Sequence, residues 1–395
     1  MTPNVLQLIG SFEQGGSERQ AVQLTRLLHE SGRYRVHVAC LDGGGPLRGV
    51  VERLGLGEIP AFALTSFHDR NTVRQLFRFA SFLRRRRVDI VQTHDFYTNV
   101  FGMAGATLAG VRARVAARRE TAGLRTGAQK KTERCAYRLA HAVVANAGAV
   151  AQQLIDEGVP RAKIVTIYNG LDLGRLTPPP GLSRAQALAL LKLPEAEPLR
   201  LVTIVANLRH AVKDHPTFLR AARRVADAVP DAAFVIAGEG ELEAPLRDLA
   251  ARLGIGGRVF FTGRCERVAE LLFASEVCVL SSTAEGFSNA ILEYMAAARP
   301  VVATDVGGAR EAVAEGETGH LVAPGDDGAL ASRIVWLLNE RERALAFGAR
   351  GRDVVRERFS CGAQLERTER LYERLLARRR RAPAEVAGGV HCESA

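Results

Sequence analysis

Two glutamates stand eight residues apart in EGFSNAILE, Glu285 and Glu293, with Gly286, Phe287 and Ser288 directly after the first. The preceding VCVLSS reads as a buried strand, TAEGF as a turn, and SNAILEYMAAA as a helix with Ser288 as its N-cap. Glu285 therefore belongs to a loop at a strand's carboxyl end and Glu293 to the helix behind it. On one continuous helix the two would lie about 80° apart; with the first in a loop, both can line one cleft. The backbone N–H groups of Gly286 to Asn289 then offer an anion site between them.

Other residues of similar promise sit at strand ends. Gly15 and Gly16, in GSFEQGGSERQ, let the backbone approach a phosphate or a sugar, and the helix they open points its N–H groups to the same place. The loop lacks the G-K-[ST] ending of a Walker A motif and is not the G-x-G-x-x-G dinucleotide fingerprint. Gly238 and Gly240, in AGEGELE, read as an ordinary strand-to-helix turn. His94 ends the strand VDIVQTH, as a site residue or as a histidine satisfied by the backbone. His210 and His215 read as surface or linker-facing. No D-x-D pair at a strand end suggests a metal.

Short β-branched runs alternating with amphipathic helical patterns must position these groups, and they imply parallel sheets covered by helices. Six strands are expected in the first half (NVLQLIG, RVHVACL, VDIVQTH, ARVAAR, HAVVAN, KIVTIYNG) and five in the second (LRLVTIVAN, AAFVIAG, RVFFTG, VCVLSS, PVVATD). TPPPGLS and the following short helical piece read as a linker rather than core. The fold class is α/β, with two doubly wound Rossmann-like domains facing across a cleft at the strands' carboxyl ends. The expected divisions are residues 1–172 for the first domain, 173–198 for the linker, 199–358 for the second domain, 359–380 for a C-terminal helix and 381–395 for a disordered tail.

The chain has 395 residues, 47% hydrophobic and 25% charged, which is ample material for such cores. Its six cysteines are scattered without C-x-x-C pairs and read as reduced thiols of a cytoplasmic protein. Neither a secretory signal nor a membrane-spanning run is legible. The net charge of +11 and the four-arginine runs at Arg84 and Arg378 are either solvated helix ends or a surface for something anionic. With 6% aromatics and no recognition motif, nucleic acid is not the expected partner. An anionic membrane surface fits better.

The segment SSTAEGFSNAILEYMAAARPVVATDVGGAREAV resembles the E-x7-E region of glycosyltransferase family 4, retaining enzymes of the GT-B architecture. The Gly15–Gly16 loop, VQTHDFYTN, IYNGLDLGRL, VANLRHAVKDHPTFLRAA, and Gly307–Gly308 with Glu311 continue that resemblance along nearly the whole chain. It implies that Glu293 holds the ribose hydroxyls of a nucleoside-diphosphate sugar and that Glu285 lies beside the transferred sugar. It implies that Lys213 neutralises the diphosphate, with Arg209 as a second cation, although Asn207 stands where relatives commonly carry that arginine. His94 would approach the sugar, and Arg264 would sit in the loop that holds the base. Gly286, Phe287 and Ser288 would complete the donor site. Ala298 replaces a glycine common in relatives, with only a packing consequence expected. The implied activity is metal-independent transfer with retention, without cofactor, to a glycan, lipid-linked or small-molecule acceptor in cell-surface glycan or glycolipid assembly, at the cytoplasmic face of the inner membrane. Alternatives on the same architecture are a nucleotide-sugar epimerase and a non-catalytic nucleotide-sugar-binding protein.

Overall fold

The structure is a computed structural model that describes residues 2–67, 69–120, 126–194 and 199–380. The expected tail, 381–395, lies outside the described residues, as do the side chains of 378–380. Among the described residues two compact units are formed, one of residues 2–146, 151–167 and 364–380, the other of residues 147–150 and 168–363.

The first unit carries six strands, β1 Asn4–Ile9, β2 Arg35–Cys40, β3 Ile90–Thr93, β4 Ala113–Arg118, β5 Ala142–Ala145 and β6 Ile164–Thr166, in the order β2-β1-β3-β4-β5-β6. Every neighbouring pair is parallel. The second unit repeats this plan with β7 Arg200–Val205, β8 Ala232–Ala237, β9 Val259–Gly263, β10 Ser275–Leu280, β11 Val301–Thr304 and β12 Gly319–Val322, in the order β12-β11-β10-β7-β8-β9. These pairs are parallel too. Strands covered on both faces should read as unbroken apolar runs. β8 (AAFVIA) and β5 (AVVA) do so, and each of their residues is buried. Both units are thus Rossmann-like, with loops gathered at the strands' carboxyl edges.

All eleven expected strands are present, and β12 is an addition. At four residues beginning with Gly319 it is too short to show a period. The helical piece expected as linker, Arg184–Leu190, instead places Ala187 and Leu188 in a core layer with Leu201, Val235 and Leu271. The C-terminal helix, Cys361–Arg380, is integrated from Gln364 onward into the first unit, where Leu371, Tyr372 and Leu375 pack with Val5, Ile90 and Tyr34.

Candidate functional site

In the second unit the strands β11, β10 and β7 are adjacent, and their carboxyl-end loops meet. Lys213 closes the short turn Ala211–Lys213, and Asp214 follows in the left-handed region at φ 44°. A short polar side chain tolerates that conformation. Asp214 uses it to cap the next helix, its carboxylate accepting from Thr217 N and Oγ1 at 3.3 and 2.6 Å. Two residues at the end of β10 fix the turn from the other side: Thr283 N donates to Val212 O at 2.8 Å and Ser281 Oγ to Lys213 O at 2.9 Å.

So held, Lys213 Nζ lies 2.6 Å from Glu285 Oε1, which also accepts from Ser282 Oγ at 2.8 Å. The two charged side chains are only 20% and 14% exposed, a setting in which a charge pair is stronger than on an open surface. Gly307 and Gly308 allow β11's loop to close on this one. A Cβ on Gly307, at φ +54°, would lie 2.0 Å from Glu285 O, and Gly308 N donates to Gly286 O at 2.7 Å. Phe287 is buried against Tyr168 and Phe359, with ring centroids 5.0 and 5.1 Å away.

Ser288 caps the helix Asn289–Ala296 as expected, accepting from Ile291 N. Asn169, which residue-level reading did not single out, donates to Phe287 O at 3.1 Å and Asn289 Oδ1 at 2.9 Å. Glu293 stands half-buried on that helix. The next residue, Tyr294, accepts from Val205 N at 2.7 Å and so ties the helix to the end of β7. Glu311 receives the N–H groups of Gly148 and Ala149 at 2.6 and 2.9 Å, an N-terminal cap supplied from far along the chain.

Arg209 pairs with Glu239 at 3.0 Å, both side chains more than half exposed, so its partner here is a loop carboxylate after β8. Arg264 is exposed in the loop following β9.

Two expectations are corrected. His215 is not a surface residue: it is 1% exposed at the start of its helix, and burial beside Lys213 lowers its pKa to about 4. Ala298 has more than a packing consequence. It adopts φ +55° in a helix-terminating turn, with Ala298 N donating to Met295 O and Arg299 N to Tyr294 O, each at 2.9 Å, and this is a glycine-favouring position. His210 is exposed, as expected.

In the first unit, β1, β3 and β4 bring a second set of groups to one edge. Gly15 precedes the helix Gly16–Glu30, but the carboxylate drawn to its first turn is Glu18, whose Oε2 would lie 2.2 Å from a Cβ on Gly15. Burial raises the pKa of Glu18, opposed by its own backbone N–H and the charge of Arg119. Asp95 packs against Gly10 and caps the helix Phe96–Ala109 in a reciprocal box with Thr98. His94 is 2% exposed, with Nε2 2.8 Å from Gln7 Oε1. Burial, then the charge of Arg119, holds its pKa well below the usual histidine range. Burial lowers Arg119 itself to about 10. Of this set the sequence singled out Gly15, Gly16 and His94; Glu18, Asp95 and Arg119 carry no spacing signal of their own.

Two domain families match the chain: Glycosyltransferase Family 4 over residues 14–175 and Glycosyl transferases group 1 over residues 200–340. The N-acetyl-alpha-D-glucosaminyl L-malate synthase of Bacillus anthracis is 29% identical over 57% of this chain and 58% of its own length. The lipopolysaccharide core biosynthesis mannosyltransferase LpsB of Rhizobium meliloti is 28% identical over 60% of this chain and 66% of its own. The chain thus spans less than two thirds of the curated relatives it matches. Among solved structures, HepE of Anabaena in complex with UDP superposes with a TM-score of 0.83 at 20% identity, covering 94% of this chain and 100% of that one, a likeness of fold. Two glycosyltransferase domain matches in succession, on a chain folded as two Rossmann-like units, place it among the GT-B glycosyltransferases of the family 4 type.

Proposed function

We propose that the protein is a retaining, metal-independent glycosyltransferase that moves a sugar from a nucleoside-diphosphate sugar to an acceptor hydroxyl. The observation that carries this reading is the contact of Lys213, Glu285 and Ser282 at the edge of the second sheet. A departing diphosphate needs a fixed cation and backbone donors, and here Lys213 is held by contacts from the loop after β10. Glu293, as a carboxylate, can accept from both hydroxyls of a ribose. Glu285 hydrogen-bonds the transferred sugar, Arg209 exchanges Glu239 for phosphate, and Phe287 and Ser288 shape the loop whose N–H groups meet the diphosphate. Arg264 borders the base.

In the reaction, the acceptor oxygen bonds the anomeric carbon as its bond to phosphate breaks, and the acceptor proton passes to the departing phosphate oxygen. No protein nucleophile takes part. The first unit's edge, with His94, Glu18, Asp95, Arg119 and the Gly15–Gly16 loop, receives the sugar hydroxyls and the acceptor.

The name of the mannosyltransferase LpsB supports a role in cell-surface glycan assembly, and that of the L-malate synthase a small-molecule acceptor. Among the described residues no helix is long and apolar enough to cross a membrane. The helix Arg70–Arg85 suits a peripheral contact with an anionic cytoplasmic membrane face, since Val73 and Phe77 are 54% and 62% exposed beside Arg74 and Arg78.

The test is a thermal-shift screen of UDP-, GDP- and ADP-sugars, followed by incubation of each stabilising donor with and without acceptor. A true donor raises the melting temperature by mass action. Conversion of the donor's sugar without acceptor would make the protein an epimerase, and binding without turnover a non-catalytic one. Loss of transfer in EDTA, restored by Mg²⁺ or Mn²⁺, would remove the metal-independent part.

A further inference from the structure

The helix Cys361–Arg380 contributes nothing to the donor chemistry above, yet it sends the phenol of Tyr372 into the core of the first unit. Tyr372 is 0% exposed. Its hydroxyl accepts from Gln7 Nε2 at 3.1 Å and donates to Gln92 Oε1. Gln7 and Gln92 are register partners on the parallel strands β1 and β3. His94 lies two residues beyond Gln92, and the period of two along a strand puts these side chains on one face.

With the two amides oriented as in this structure, the donors along this row run in one direction. A phenol has a single proton; directed to Gln92, it leaves the Tyr372 oxygen as an acceptor for the amide N–H of Gln7. Gln7 must then turn its carbonyl oxygen to His94 Nε2, 2.8 Å away. A carbonyl can only accept, so Nε2 carries the ring proton and Nδ1 has a bare lone pair. That Nδ1 is buried and has no partner among the described residues. A buried acceptor without a donor costs about 1–3 kcal/mol. Leu or Phe in place of the glutamines and tyrosine would fill a core without that burden.

We propose that Tyr372 is a positioning residue that fixes the tautomer of His94 through Gln7, so that His94 offers Nδ1 as the acceptor for a hydroxyl of the bound sugar or acceptor. The proposal rests on the reading of His94 as a substrate contact. Burial and the neighbouring Arg119 keep the ring neutral, as such a role requires.

The experiment is ¹⁵N NMR of histidine-labelled protein, with the His94 signals assigned by their loss in His94→Gln. The wild type should show Nε2 protonated, Nδ1 bare, and neither shifting between pH 6 and 8. Tyr372→Phe keeps the ring and breaks the chain. Both tautomers should then appear, and kcat should fall by roughly tenfold with KM for the donor unchanged, less than the ~10⁴-fold loss when a catalytic-triad histidine is held in the wrong tautomer. The donor is whichever of UDP-glucose, UDP-N-acetylglucosamine or GDP-mannose is turned over. A wild-type ring protonated at Nδ1, or a Tyr372→Phe protein with the tautomer unchanged, overturns the proposal, and the wild-type spectrum decides even if the variant does not fold. Transfer at the wild-type rate in His94→Ala would remove the hydroxyl contact instead, while the spectrum still decides the relay.

Discussion

Lys213 and Glu285 pair across 2.6 Å, so the residue that would bind a diphosphate also holds an acid. Removing it does two things: the nucleotide loses a cation, and Glu285, 14% exposed, loses its partner. Lys213→Ala should therefore weaken binding of the nucleoside diphosphate by about 1.5–3 kcal/mol, the range for a hydrogen bond to a charged group, and Glu293→Ala should do the same through the ribose. Calorimetric titration measures both, and unchanged affinity in both would remove the donor-site assignment. Stability separates them. Lys213→Ala should also destabilise the second unit by about 1–3 kcal/mol because it strands a partly buried charge, and adding Glu285→Gln should restore part of that loss. Ala298 makes the opposite case. Its left-handed φ of +55° costs about 1–2 kcal/mol, and glycine would return roughly 0.4–1 kcal/mol of that through the freedom of its unfolded chain. Ala298→Gly should thus stabilise the second unit by about 0.5–1 kcal/mol in urea titrations followed by the fluorescence of Trp336, the chain's single tryptophan.

At the scale of elements, most of the fold was legible because buried parallel strands write their burial directly into composition. VCVLSS, AAFVIAG and HAVVAN could hardly be placed elsewhere, and Ser288 marked its helix start by its own chemistry. What could not be read depended on long-range partners. Arg184–Leu190 looks like a linker by its proline flank, but its alanines and leucines have a core face to meet. The burial of His215 depends on neighbours that its polar sequence context does not reveal. Nothing local in VAARRE tells that Arg119 will be half-buried near Glu18. The helix Arg70–Arg85 divides the same way. Its apolar members part ways: Leu76 is half-buried against Gly105, whereas Phe77 is 62% exposed. At about 100° per residue, Val73, Phe77, Arg70 and Arg84 fall within about 60° of one another. Each basic residue near an anionic surface adds about 1 kcal/mol, so association should be reversible and salt-sensitive. Co-sedimentation with phosphatidylserine-containing liposomes should occur at low salt, decline at high salt, and be lost in a Phe77→Ser, Arg84→Ser variant. Protein remaining in the supernatant at low salt would favour a soluble acceptor.

In the first unit His94 and in the second His215 are buried histidines with strongly lowered pKa values. Burial is the leading cause of the lowered pKa in both, and in both a neighbouring cation, Arg119 or Lys213, adds to it. An unfolded chain protonates these rings near pH 6.5 while the folded units do not. Between the two pKa values the unfolded state binds more protons, so stability rises with pH. For His215 the contribution is fully present above about pH 6.5 and is lost on acidification until the folded-state value of about 4 is reached, with a slope of about 1.4 kcal/mol per pH unit. Because the chain forms two units, unfolding need not be a single transition, and two probes are needed. Trp336 belongs to the second unit and reports its urea midpoint, while circular dichroism follows both. The tryptophan midpoint should fall from pH 7 to pH 5. In His215→Asn, which cannot take up a proton, it should be lower at pH 7 but fall less steeply, and equal slopes in wild type and variant would mean that His215 is not the group that couples acid to the unfolding of the second unit.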